Sequence, residues 1–436
     1  MKKILVFLAM LLVFISSCKK DNQQEDKPSA FTPQMGRDTL YYLMQDIYYW
    51  YKQMPQVNKD DYNDPYKLLE AMRYKPADRF SFVADYDEYH AEMNGTFVGH
   101  GIRIGVDANK KARIAMIYDK SPLYAAGVRR GWIINSVNGS DIGALLASGN
   151  REQYNVVLGA SKEGVTNQFV FTKPDGSTLS LSSTKTTFQT NTVLLADTLH
   201  LNTGVTGHLV YESFIQPSTT ELSKAFSYFK ENNVKDLILD LRYNPGGLVN
   251  IAQTLASYIG GNRLSGTNMA KLEHNDKLTQ YNRSFPFVTT SYSLDLPRVV
   301  VITTRGTASA SEFIINGLRP HVTVVTVGDT TYGKPVGFYE WDAGEKYVFA
   351  PTAFKIVNSL GQGEYYFGIA PNKLAPDDIT HDFNDRKESS LKEAIYYLEH
   401  GNVSTKGFVQ PFRNGIQISE RPDWMKNLLI EENKPF

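Results

Sequence analysis

Hydrophobic positions along the chain fall into three regions of different spacing. From Thr39 to Trp50 apolar residues recur at helical spacing, and a second helical segment covers about 64–73. Between about 97 and 185, short β-forming runs alternate with turn signals. From residue 200 onward, predicted strands alternate with helices, as in an α/β protein.

These regions divide the chain into parts with different expected folds. We expect an α/β core, an inserted β-rich domain and a small helical N-terminal region. The expected boundaries are a signal peptide at 1–17, a flexible tether at 18–33, the N-terminal helical region at 34–95, the β-rich domain at 96–185, the α/β core at 186–400 and a C-terminal tail at 401–436.

The first residues have the pattern of a secretory signal. Lys2 and Lys3 precede an apolar run of twelve residues, which is shorter than the roughly 20 residues that a membrane-spanning helix needs. Cys18 is the only cysteine of the chain, and the segment from Ile15 to Cys18 resembles a bacterial lipobox. We therefore expect lipid attachment at Cys18 and a location in the bacterial cell envelope, with the lipid anchor as the only contact with the membrane.

The composition narrows the class of protein further. The 436 residues include 46 basic and 46 acidic ones, so the chain lacks the basic excess of a nucleic-acid binder. A hydrophobic content of 42% is sufficient for packed cores. A single cysteine excludes an internal disulfide and a Cys-rich metal site. The composition therefore indicates a globular, multi-domain protein.

Two polar residues follow consecutive predicted strands of the α/β region. Ser309 begins a predicted helix, where free backbone N–H groups, including that of Ala310, can stabilise an oxyanion. Lys334 follows the next strand and is expected along the same carboxyl edge of the sheet. The alternatives to a catalytic pair are a capping box between Ser309 and Glu312, and an ordinary solvated lysine.

Three motifs around these residues occur in a characteristic order. They are DLRYNPGG at 240–247, TASASE at 307–312 and GDTTYGK at 328–334. In order and spacing they resemble the glycine loop, the nucleophile motif and the lysine motif of the C-terminal processing (tail-specific) serine proteases, peptidase family S41. The resemblance covers roughly residues 37 to 400 and implies a catalytic core of the S41, ClpP–crotonase-like type.

The resemblance implies a role for each matching residue. Ser309 is the nucleophile and Lys334 the general base of a serine-type peptidase that uses neither a metal nor an organic cofactor. Ala310 and either Gly246 or Gly247 supply the backbone N–H groups of the oxyanion hole, because glycine allows close approach. A base near pKa 10.4 is mostly protonated at neutral pH. We therefore expect Lys334 to be buried, with its amine within hydrogen-bond reach of Ser309.

Two positions after the lysine depart from the family pattern. The family has Gly directly after the lysine and Gln four residues past it, where this chain has Pro335 and Phe338. Gln362 or a backbone carbonyl could replace the missing Gln, or Phe338 could make the surroundings of the amine more apolar. The departure leaves an alternative function: a catalytically impaired S41 fold that acts as a peptide-binding adaptor.

The β-rich region resembles a PDZ domain of the bacterial protease type over residues 121–139, with Trp132 where that family usually carries Asp. The resemblance implies a loop whose backbone N–H groups receive the terminal carboxylate of a peptide, which adds as a strand to the sheet edge. The loop residues are Gly99, His100, Gly101 and Ile102. We expect protein or peptide substrates with accessible C-terminal tails.

Other enzyme classes have less support. Residues 328–334 fit most of a P-loop, but Pro335 replaces the hydroxyl that binds Mg²⁺. The chain contains neither the G-x-S-x-G elbow of the α/β-hydrolases nor the H-E-x-x-H motif of metalloproteases. The sequence leaves open the physiological substrate, the side of the membrane, the oligomeric state and any control by the β-rich domain.

Overall fold

The computed structural model describes residues 31–405, 417–419, 422, 424–425 and 428–434. The predicted signal peptide, Cys18 and most of the predicted tether lie outside these residues. In the part of the chain that is described, no helix is both long enough and apolar enough to cross a bilayer.

The N-terminal region has a small hydrophobic core of its own. Leu40 and Leu68 are buried there together with Phe349 from the α/β core. The first helix begins earlier than the hydrophobic spacing indicated, because the side chain of Thr32 accepts a hydrogen bond from the N–H of Met35. The elements are α1 (Pro33–Ile47), α2 (Pro65–Met72), β1 (Phe82–Asp85) and α3 (Tyr86–Met93).

The next region folds around a second, separate core that includes Ile104, Val137 and Phe169. Its elements are β2 (Thr96–Gly99), β3 (Ile102–Val106), β4 (Ala112–Ile117), α4 (Pro122–Ala125), β5 (Ile133–Val137), α5 (Ile142–Ala147), α6 (Arg151–Leu158), β6 (Thr166–Thr172), β7 (Thr178–Thr184) and β8 (Thr186–Gln189). Strands β3 to β7 form one antiparallel sheet in sequential order, and β2 pairs with β8.

The α/β core and the C-terminal segment contain the remaining elements. They are β9 (Val193–Leu201), β10 (Gly204–Tyr211), α7 (Ser218–Glu231), β11 (Asp236–Asp240), β12 (Gly246–Leu248), α8 (Val249–Gly260), β13 (Asn268–His274), β14 (Arg283–Pro286), β15 (Arg298–Thr303), α9 (Ala310–Leu318), β16 (Thr323–Gly328), β17 (Val336–Phe338), β18 (Trp341–Ala343), β19 (Tyr347–Ala350), β20 (Thr352–Asn358), β21 (Lys373–Leu374), α10 (Ser389–His400), β22 (Gln417–Ser419) and β23 (Leu428–Ile430).

The principal sheet has the order β21-β16-β15-β11-β10-β9, with only β9 antiparallel to its neighbour. Its central strands are apolar on both faces. Ile238 and Val300 share a cluster with Leu391 of α10, whereas Leu237 packs in the main core with Phe229 of α7 and with α8 and α9. Burial of both faces explains the continuous apolar runs, and the parallel strands bring the ends of β15 and β16 to one edge.

A second sheet in the order β12-β23-β17-β20-β13-β14 covers α8 and α9. Its strand β23 comes from the segment at 401–436, for which the sequence predicted only a tail. Leu428, Leu429 and Ile430 are fully buried. Three apolar residues are too short a run to predict a strand, so this element depends on the neighbours that it joins.

Candidate functional site

Ser309 lies between β15 and α9 and is completely buried. Its backbone has φ +61° and ψ −109°, a region that a non-glycine residue rarely adopts. Among the described residues its Oγ atom has no hydrogen-bond partner. Strained backbone and an unpaired buried hydroxyl are typical of a functional position, because both carry a free-energy cost for folding.

Lys334, between β16 and β17, is also completely buried. Its Nζ atom lies 4.1 Å from the centroid of the Phe338 ring and 5.5 Å from that of Phe80. Burial lowers the pKa of Lys334 well below its ordinary value of 10.5, while the carboxylates of Asp78 and Glu312 act in the opposite direction. The prediction that this lysine is buried among apolar groups is confirmed.

The carboxylate of Glu312 connects the backbones of the two loops. Its Oε2 atom accepts from the N–H of Ser309 and from that of Lys334, both at 2.8 Å. Its Oε1 atom accepts from the N–H of Gly333 at 2.7 Å and from the hydroxyl of Thr331. Burial raises the pKa of Glu312, and the four donors oppose this rise. A helix cap needs only the bond to Ser309, so the other three bonds fix the lysine loop against the serine.

The direct hydrogen bond that we expected between the amine and the hydroxyl is not formed, since the Oγ atom of Ser309 has no partner among the described residues. Catalytic hydrogen bonds are often long without substrate and shorten in the complex. The side-chain oxygen of Gln362, which the sequence suggested as a substitute for the missing family Gln, accepts instead from Asn358 at 3.1 Å.

Gly246 lies against the serine. A Cβ atom added to it would be 3.0 Å from the Cβ of Ser309, 2.9 Å from the nitrogen of Ala310 and 2.1 Å from the carbonyl oxygen of Leu428. Its φ of +104° also favours glycine. The N–H of Gly246 donates to Oδ1 of Asn244 at 2.9 Å. The structure therefore brings the glycine loop, Ala310 and Ser309 together, with the N–H of Gly246 already engaged.

Gly247 is the second glycine of the loop and has φ +140°. A Cβ atom there would lie 2.2 Å from the carbonyl oxygen of Phe214. Both loop glycines belong to β12, whose partner β23 also pairs with β17, the strand after Lys334. The C-terminal strand thus joins the glycine loop to the lysine strand, a connection for which the sequence carried no signal.

A buried charge cluster supports the start of the glycine loop. Arg242 is fully buried, and its guanidinium donates to Asp240 at 2.9 Å, Asp377 at 2.8 Å and Glu388 at 2.9 Å. Although burial opposes it, these carboxylates hold the pKa of Arg242 well above its ordinary value. Arg130 of the β-rich region also reaches Asp377, at 3.0 Å. The motif arginine therefore has a structural role beneath the site.

The N-terminal region contributes residues that the sequence analysis did not assign to the site. The guanidinium of Arg79 donates to the carbonyl oxygens of Tyr332 and Gly333 at 3.1 and 3.2 Å. Its neighbour Phe80 faces the amine of Lys334. These contacts join positions more than 250 residues apart in the chain, and no local pattern could have revealed them.

The predicted carboxylate-binding loop at 99–102 joins β2 to β3. Gly101 has φ +70°, which favours glycine. The His100 ring is buried and bonded to Asn167 at 2.7 Å and to Ser183 at 3.0 Å, and burial lowers its pKa to about 4. The side chain of His100 is therefore part of the core, so a ligand would meet the backbone of this loop.

Fold and site together define an α/β protein with a buried serine and a buried lysine at neighbouring strand ends. Residues 205–373 match the model of peptidase family S41, and residues 37–82 match the model of the peptidase S41 N-terminal domain. In these two ranges the chain is similar to peptidase family S41.

Curated relatives and a solved structure agree with this similarity. The chain is 24% identical over 310 residues to the carboxy-terminal processing protease CtpB of Bacillus subtilis, with 71% of this chain and only 59% of that protein covered. It is 24% identical over 333 residues to a carboxyl-terminal-processing protease of Picosynechococcus, with 74% and 75% covered. The crystal structure of an S41 protease candidate from Bacteroides fragilis matches with a TM-score of 0.68 at 22% identity, covering 83% of this chain and 96% of that one. This last likeness supports the fold.

Proposed function

We propose that the protein is a serine endopeptidase in which Ser309 is the nucleophile and Lys334 the general base. The observation that carries the proposal is the shared carboxylate of Glu312, which bonds the backbones of both residues at 2.8 Å. The names of the relatives, carboxy-terminal processing proteases, support the same reaction class.

Each step of the reaction has a group in the site. The neutral amine of Lys334 takes the proton of the Ser309 hydroxyl as Oγ attacks the peptide carbonyl carbon. The resulting ammonium gives this proton to the leaving amine as the C–N bond breaks. A water molecule then loses a proton to the neutral amine of Lys334 as it attacks the acyl carbonyl carbon. When the ester C–O bond breaks, the Lys334 ammonium returns a proton to Oγ of Ser309, which restores the free serine.

The oxyanion hole is formed by the N–H of Ala310 and by the glycine loop. Ala310 is the first residue of α9, so its N–H has no acceptor within the helix. The second donor is Gly246 or Gly247. For Gly246 to be this donor, its N–H must release Oδ1 of Asn244 and donate to the oxyanion instead.

Phe338 replaces the Gln of the family and supports a neutral amine. It is fully buried, and its ring lies directly against the Nζ atom of Lys334. A dry, apolar surrounding disfavours the ammonium form, and so supplies by desolvation the neutral base that catalysis needs. The departure from the family pattern is thus compatible with catalysis.

The substrates we propose are proteins or peptides of the cell envelope with accessible C-terminal tails. Residues 96–185 act as a PDZ-type domain that receives such a tail at the 99–102 loop and along β3. A lipid on Cys18 holds the protein at the membrane, which predicts that a Cys18→Ser variant moves from the membrane fraction to the soluble fraction.

The proposal is tested by cleavage of an unstructured polypeptide with an apolar C-terminus, using wild type, Ser309→Ala and Lys334→Met. The same polypeptide with an amidated C-terminus is the matched substrate control for tail recognition. We expect wild type to cleave, both variants to be inactive, and amidation to reduce kcat/KM. Retained cleavage in either variant contradicts the proposed pair, and tight binding without cleavage by wild type supports an adaptor instead.

A further inference from the structure

The chain's own C-terminal segment occupies the edge of the β-rich sheet. Strand β22 pairs antiparallel with β3, so that residues 417, 418 and 419 lie opposite Gly105, Ile104 and Arg103. Without β22, β3 would be the edge strand of its sheet, since the order is β22-β3-β4-β5-β6-β7. The edge that directly follows the 99–102 loop is therefore already filled by an extended, antiparallel stretch of backbone.

The segment after β22 packs against the N-terminal region and the α/β core, close to Lys334. The Trp424 ring stacks on Phe82 with centroids 5.6 Å apart, and Phe82 in turn contacts Phe338 at 5.1 Å. Met425 is buried in the main core, and β23 follows between β12 and β17. Only four residues separate Ser419 from Trp424. This short connection keeps residues 417–419 next to β3 at a high effective concentration.

We propose that residues 417–419 are an internal ligand of β3, which a substrate tail must displace before it can bind there. The proposal rests on the proposed function, in which β3 receives the substrate tail. An extended peptide added to a sheet edge is held mainly by main-chain hydrogen bonds, so almost any sequence can fill the edge. A segment of this chain and a substrate tail therefore compete for the same N–H and C=O groups of β3.

Proline substitutions in β22 can disrupt its pairing with β3 without changing the rest of the C-terminal segment. On an antiparallel strand, successive residues alternate between hydrogen-bonded and non-hydrogen-bonded positions. The double variant Gln417→Pro with Ile418→Pro therefore removes a ladder donor whichever residue carries it, and leaves β23 unchanged. The matched control is Gln417→Ala with Ile418→Ala, which keeps every backbone N–H.

The experiment measures binding of a fluorescein-labelled peptide with an apolar, free C-terminus by fluorescence anisotropy. All proteins carry Ser309→Ala, so binding is read without any cleavage. If the internal ligand occupies β3 in about 90% of molecules, the apparent Kd is weakened about tenfold. We expect the proline variant to bind about tenfold more tightly than the parent and clearly more tightly than the alanine control. An unlabelled peptide with the sequence of residues 414–422 should compete with the labelled peptide for binding to the proline variant.

Several results would overturn the proposal. The first is an unchanged or weaker Kd in a proline variant whose far-UV circular dichroism and thermal unfolding match those of the parent. The second is absence of peptide binding by all variants. The third is a parent dimer that the proline substitutions dissociate. A dimer would mean that the segment fills β3 of a second copy. If the proline variant does not fold, hydrogen exchange of the parent decides: added peptide should deprotect 417–419 while β3 stays protected, and unchanged protection of 417–419 refutes the competition. Because peptide binding is measured in Ser309→Ala proteins, a failure of the cleavage assay alone would not change the interpretation of these binding results.

Discussion

The Nζ atom of Lys334 lies 4.1 Å from the centroid of the Phe338 ring. The ring has two opposing effects on the pKa of the amine. It excludes water, which lowers the pKa, and its negative face attracts an ammonium group, which raises it. Burial has the largest influence on this pKa and lowers it well below its ordinary value.

Two substitutions of Phe338 should move the pH dependence of catalysis in opposite directions. Phe338→Leu keeps the site dry but removes the ring face, so the acidic limb of the kcat/KM profile should move to lower pH. Phe338→Gln brings a polar group that supports the ammonium, so the limb should move to higher pH. Initial rates between pH 5 and 10 give both limbs. A shift of both variants in the same direction would contradict this explanation.

Gly246→Ala should disable catalysis. The added Cβ atom would meet the carbonyl oxygen of Leu428 at 2.1 Å and press on Ser309 and Ala310. The loop would have to move away from the serine, so we expect a fall in kcat of roughly 10²–10³-fold, as large as that caused by loss of an oxyanion donor. The control is Gly266→Ala, which has a similar positive φ of +78° with nothing within 4 Å. Equal losses in both variants, measured as kcat, would mean that backbone strain alone is responsible.

Glu312→Gln should lower kcat more than it changes KM. The amide has an NH₂ group where the carboxylate has its second oxygen, so two of the four donors would lose their acceptor and the lysine loop would be held less firmly against Ser309. We expect a loss of about 1–3 kcal/mol in the free energy of unfolding. The lost negative charge also removes a contribution that raises the pKa of Lys334, so the acidic limb should move to lower pH. A purely structural glutamate would leave the limb in place. Glu393→Gln in α10 is the control, a buried glutamate bonded to Ser404 at 3.0 Å.

Lys334→Met should stabilise the fold at neutral pH. The pKa of Lys334 is lower in the folded chain than its ordinary value, so between these two values the unfolded chain binds more protons and wild-type stability rises with pH. Each unit of difference corresponds to about 1.4 kcal/mol. The advantage of the methionine variant in urea unfolding should therefore shrink from pH 7 to pH 10. An advantage that does not depend on pH would show that the amine is not the cause.

The parts of the site that lie within short sequence motifs could be predicted from the sequence. The three motifs contain Ser309, Lys334 and the glycine loop, and the parallel strands bring them to one edge. Glu312 was visible only as a helix cap, since its bonds to the lysine loop depend on the fold. Phe80 and the strand at 428–430 could not be predicted, because neither has a local pattern and both reach the site through tertiary packing.

The most direct test of the account is labelling by a fluorophosphonate, which reacts with an activated serine hydroxyl, followed by intact-mass and peptide mass spectrometry. Wild type should gain one label, located on Ser309, at a rate that increases with pH as Lys334 loses its proton. Ser309→Ala and Lys334→Met should remain unlabelled on the same timescale. Labelling of Ser309 at an undiminished rate in Lys334→Met, or labelling of another residue in wild type, would contradict a serine activated by this lysine.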